Sequence, residues 1–100
     1  MITFIAHVQV TAERAAEFEA LMGYVCEKVR ENEPGVAYYA FSKSVADPNT
    51  YVVVEVYRDL AAHSAHMASH WVQESRPKAA RLMLGKPDIR QYVSPGSATK

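Results

Sequence analysis

The chain has a single cysteine, Cys26, which cannot close an internal disulfide and has no second thiol with which to hold a metal. Such usage suits a reducing compartment, and Cys26 reads as a small core residue. An excess of one charge is missing too. Eleven Lys and Arg balance eleven Asp and Glu along the length, so no basic stripe exists for a phosphate backbone and nucleic acid is not an expected partner. No apolar run approaches the roughly 20 residues of a membrane helix, and the start MITFIAHVQV alternates where a secretory signal would be a continuous apolar block. The expectation is a cytoplasmic protein with no membrane partner. Repeats and low-complexity segments are also lacking. What remains, 100 residues at 49% apolar and 22% charged, has the size and composition of one globular domain. It should span residues 1–94, with a loose tail at 95–100 that is rich in small and polar residues.

The elements follow from periodicity. Residues 2–10, ITFIAHVQV, alternate as a strand, with Phe4, Ala6, Val8 and Val10 on one face and Thr3, Ile5, His7 and Gln9 on the other. Phe18, Leu21, Met22, Val25 and Val29 recur at three- and four-residue spacing, which predicts an amphipathic helix from about Ala12 to Asn32. Thr11 is its candidate cap, although Arg14 stands where a capping box would place glutamate, and Pro34-Gly35 stops it. Val36 to Lys43 and Tyr51 to Arg58 form a hairpin across the Asp47-Pro48-Asn49 turn. A helical pattern then runs from Leu60 to about Leu84, with a possible break near Ser69 and with Pro77 kinking it or starting a new segment. Asp88 to Val93 is a last strand. Strand, helix, two strands, helix, strand is the α+β ferredoxin-like βαββαβ plan with an antiparallel sheet.

If both helices cover one sheet face, the other should be polar where it meets water, yet neither face is. Strand three carries Val52, Val54 and Val56 on one side and Tyr51, Val53, Glu55 and Tyr57 on the other. Strand two carries Tyr38 opposite Tyr39 and Phe41. An exposed apolar sheet face marks an interface, and its symmetric solution is a two-fold homodimer. Glu55, Tyr39, Phe41 and Tyr57 are expected on that face, with Glu55 paired to an arginine or histidine because a buried lone carboxylate is costly.

Three of the four histidines cluster at 63, 66 and 70. On one helix they share a face, which is the case for a metal. No cysteine or carboxylate ligand accompanies them, so metal binding is not expected. His63 and His70 read as solvated helix surface. His66, between Ala65 and Met67, can point inward, either as a buried structural histidine or as a group that exchanges protons near neutral pH.

Glu55-x-Tyr57, Asp59, Ala62, His66 and Ser69 resemble the E-x-W, A, H-x-x-S signature of the antibiotic biosynthesis monooxygenase (ABM) domains. Glu33-Pro34-Gly35, Asp47-Pro48 and Gly85-Lys86-Pro87-Asp88-Ile89 support the likeness, which spans essentially the whole chain. The resemblance implies a dimeric α+β barrel with a small apolar cavity between helices and sheet. Some members oxidise phenols, quinols or anthrones with O₂ and no metal or flavin, so no cofactor is implied. On that pattern His66 is the candidate catalytic base, and Trp71, His70, Arg76 and Val8 are candidate substrate contacts. For three of these contacts an ordinary role stands alongside: core anchor for Trp71, solvated surface for His70 and Arg76. Two departures stand out: Tyr57 replaces the usual Trp, and Ser69-His70-Trp71 lacks a common proline. The Asn, Trp and His of haem-degrading relatives correspond to Val8, His66 and roughly Arg76, which disfavours haem degradation. The alternatives are a non-catalytic small-ligand-binding or stress-response module, marked by a purely apolar pocket, and a small-metabolite isomerase, which needs cations converging on the cavity.

Overall fold

The computed structural model describes residues 1–96. The tail expected from residue 95 therefore lies mostly outside the described residues. The strands are β1 (Ile2–Gln9), β2 (Val36–Lys43), β3 (Thr50–Tyr57) and β4 (Asp88–Val93); the helices are α1 (Ala15–Asn32), α2 (Leu60–Ala68) and α3 (His70–Leu82). The sheet is antiparallel in the order β2-β3-β1-β4. This is the ferredoxin-like plan, with a second helical region in two pieces.

Local chemistry explains the boundaries. Residues 12–14 form one 3₁₀ turn before α1, and Thr11 does not cap it; its buried Oγ1 has no partner among the described residues. Val29 O accepts from Glu33 N where Pro34 ends α1. In the β2–β3 turn, Ser44 Oγ accepts from Ala46 N and Asp47 N, and Asp47 Oδ1 accepts from Asn49 N, the Asx and hydroxyl turns that replace a missing ladder. Asp59 caps α2 by accepting from Ala62 N at 2.8 Å. Ser69, extended at φ −64° and ψ 150°, both ends α2 and caps α3 through Val72 N. Pro77 sits inside α3 without ending it.

Register decides which side of the sheet is which. Glu55 pairs with Phe4 and with Tyr39, and Tyr57 with Ile2. Cross-strand partners share a face, and this one lies under the helices. Tyr51 and Tyr57 are fully buried there, and Val8, Val10, Phe18, Met22 and Val53 complete the core. The expectation that Glu55, Tyr39, Phe41 and Tyr57 lie on the outer face is therefore corrected. Strand alternation separates two sets of side chains without saying which set the helices cover, and the larger aromatic set gains more by going under them. The outer face instead carries Ile5, Val52, Val54 and Val56, half-buried, flanked by exposed Tyr38 and Tyr92.

The turn after α1 is fastened to the start of α2. Gly35 O accepts from Arg58 N at 2.9 Å, and Pro34 O accepts from Arg58 Nε at 3.2 Å. A Cβ added at Gly35 would lie 2.7 Å from Ala62 Cβ. Only glycine permits this approach.

Candidate active site

A cavity of about 630 Å³ opens between the helices and the inner sheet face, within the usual size range of small-molecule sites. Phe4, Ala6, Val8 and Val53 form its floor, Met22 and Val25 reach it from α1, and Met67 and Met83 add thioether sides. Its polar groups are few: Tyr39, Glu55, His63, His66, Ser75, Arg76 and Lys86.

His66 is 3% exposed. Its Nδ1 lies 2.9 Å from Glu33 Oε1, and Trp71 Nε1 donates to Glu33 Oε2 at 2.6 Å. The Glu33 side chain is only 9% exposed. An ionised carboxylate can only accept, so it places the proton on His66 Nδ1. Nε2 is left as an acceptor, with no protein partner among the described residues. A buried acid thus orients the imidazole beside the cavity, the usual way a general base is held. Ser69 adds a bond from its Oγ to His66 O at 2.6 Å.

One helical turn earlier, His63 also lines the cavity. Its ring stacks on Phe4 at 4.5 Å and meets the edge of Tyr57 at 5.0 Å. Burial holds its pKa below the ordinary histidine value, against the pull of Glu55 and aided by His66. It is therefore not solvated surface, as its sequence context suggested. Protonation now favours the unfolded chain, so stability is retained above the ordinary value of 6.5 and is lost as pH falls through it towards the depressed one. In urea melts between pH 7.5 and 5, wild type should lose more stability than His63→Gln; equal losses would remove His63 from this role.

Glu55 Oε1 accepts from Tyr57 Oη at 2.5 Å, and Oε2 has no protein partner among the described residues. Burial, then the Glu55 charge, pushes the pKa values of Tyr57 and Tyr39 far upward, so both phenols stay protonated donors. Cys26 is half-buried, with its thiol pKa raised by burial.

Of the residues singled out from sequence, Val8, His66 and Arg76 line the cavity. Trp71 does not; it binds Glu33 behind His66. Nor does His70. The break at Ser69 takes it off the His66 face, and it pairs in solvent with Glu74, its side chain 79% exposed. Glu33, Glu55, Tyr39 and His63 complete the site. Among the described residues, no three of His, Cys, Asp and Glu converge as metal ligands.

A ferredoxin-like sheet roofed by helices around an apolar chamber with a few acid–base groups defines the class. The profile of the antibiotic biosynthesis monooxygenase family matches residues 1–78, and the chain belongs to that family. An inferred antibiotic biosynthesis monooxygenase from Caulobacter crescentus is 28% identical, with a TM-score of 0.86 over 91% of this chain and 86% of that one. Rv0793 from Mycobacterium tuberculosis is 20% identical over 97% of both chains at a TM-score of 0.86, a likeness of fold. An uncharacterized Synechocystis protein is 28% identical over 91% of this chain, which spans only 61% of that relative's length. Among the described residues, no helix is long and apolar enough to cross a membrane.

Proposed function

We propose that the protein is a monooxygenase that needs no added cofactor and oxidises a small aromatic phenol, quinol or anthrone with O₂. The observation that carries this reading is the buried His66 in the cavity lining, its Nδ1 held by Glu33 and its Nε2 without a protein partner among the described residues. Nε2 accepts a substrate proton. The electron-rich anion then passes an electron to O₂, and the resulting radicals join as a peroxide. Loss of water from the peroxide leaves a quinone carbonyl, so a CH₂ and O₂ become C=O and H₂O. The chain contributes desolvation, orientation and proton transfer. A cavity that also holds Glu55, His63 and Tyr39 is not the purely apolar pocket that a passive carrier would display.

Two further proposals accompany this reading. The outer sheet face, with Ile5, Val54 and Val56 at its centre, is where a second copy of the chain docks as a homodimer. The lone Cys26 suits work in the cytoplasm.

Oxygen uptake with a series of hydroquinones in metal-free buffer, corrected for autoxidation, tests the chemistry. Wild type should turn over at least one member, and His66→Ala should lose about 10²–10⁴ in rate. No turnover, or an unimpaired variant, would refute the assignment.

A further inference from the structure

The polar groups of the cavity are sorted by charge. Glu55, from β3, is the only carboxylate among its lining residues, and His63 and His66 lie beside it on α2. These three supply proton acceptors that no protein group uses: Glu55 Oε2, Nε2 of His66 and the unprotonated ring nitrogen of His63, none of which has a hydrogen-bond partner among the described residues. The depressed pKa of His63 keeps it neutral and able to accept. Arg76 from α3 and Lys86 from the segment before β4 line the same cavity. Among the described residues, two cations sit against carboxylates, Lys43 on Glu19 and Arg90 on Asp88. Arg76 and Lys86 have no such partner among the described residues. Glu55 pairs with Phe4, and Asp88, at the start of β4, with His7; three residues along β1 and two strand spacings across put the carboxylate end and the start of β4 about 14 Å apart at ordinary strand geometry.

A hydroxyl donor satisfies Glu55 and the imidazoles, whereas an anion placed there meets the charge of Glu55. An anion at the other end meets two exposed cations without a carboxylate partner among the described residues, where a guanidinium binds carboxylate with two parallel bonds. The span between the ends exceeds a single benzene ring. We infer that the cavity takes an anionic phenol: a ligand of at least two fused rings, its hydroxyl directed to Glu55, His63 and His66 and a carboxylate at the far end on Arg76 and Lys86. This rests on the phenol reading above and adds a charge and an orientation to it.

Three fluorescent probes test it by titration at neutral pH: 6-hydroxy-2-naphthoic acid, its methyl ester and 2-naphthol. Wild type should bind the acid at least tenfold more tightly than the ester. Changing both exposed cations, Arg76→Gln with Lys86→Gln, should bring the acid down to the ester's affinity while leaving ester and naphthol binding as they were. If acid and ester bind alike, or if the double variant keeps the preference, the inferred anion site is wrong while the phenol reading stands. If none of the three binds, the phenol reading fails and takes this inference with it.

Discussion

Glu33→Leu is expected to remove about 2–6 kcal/mol of folding stability, at about 1–3 kcal/mol for each of two buried donors left without an acceptor. Two donors, His66 Nδ1 and Trp71 Nε1, converge on this carboxylate, and leucine leaves both facing apolar surroundings. Against a total of about 5–15 kcal/mol for a domain, the loss should pull the melting temperature down by more than about 10 °C. Glu33→Gln separates folding from chemistry. Its carbonyl can still accept from Trp71, but its NH₂ turns His66 Nδ1 into the acceptor and moves the imidazole proton to Nε2, the atom proposed as base. The fold should survive, and turnover should fall by a factor on the order of 10³–10⁴, as when an orienting carboxylate becomes an amide and sets the wrong tautomer. Thermal melts and oxygen-uptake rates of the two variants would check both halves. A stable Glu33→Leu protein or a fully active Glu33→Gln enzyme would show that the carboxylate does neither job.

The second large effect concerns assembly. Val54 lies between Ile5 on β1 and Ala40 on β2 on the outer sheet face, near the middle of the surface proposed to meet a second copy. In a two-fold contact each substitution is presented twice, so Val54→Lys would bring two ammonium groups into one desolvated patch, at a cost of several kcal/mol. Light scattering should give twice the 11.1 kDa chain mass for wild type and the single mass for the variant, with circular dichroism unchanged. A wild type that runs as a monomer at micromolar concentration would sink the proposed homodimer.

Much of the architecture was legible because it is written in local periods. Alternation marked the strands, three- and four-residue spacing marked α1, and Pro34-Gly35 and Asp47-Pro48-Asn49 marked the turns. Three features were not legible, each for a physical reason. Strand alternation does not reveal which face the helices cover, so Glu55 and its aromatic neighbours were placed on the wrong side of the sheet. The break expected near Ser69 is present, but its consequence was not legible: the side-chain cap to Val72 N restarts the helix and removes His70 from the face it would share with His66 on an unbroken helix. The Glu33–His66 bond joins residues 33 apart in the chain. In sequence Glu33 looks only like the residue before a helix-stopping Pro-Gly, and nothing local shows that a buried imidazole and an indole converge on it. His66 stood out through its family signature; His63 carried the signal of sharing its face, but a helical pattern alone does not show that Phe4 and Tyr57 stack around it.

The contact between Gly35 and Ala62 acts as a spacer for the whole chamber. Ala62 directly precedes His63 and lies one turn before His66, so the thickness of a bare backbone carbon against one methyl sets how deep both imidazoles reach. Every carbon added at position 35 would wedge α2 outward and withdraw the two rings together. The reach of the acid–base groups is thus gauged one turn before His66 on the same helix face, by two residues outside the cavity lining.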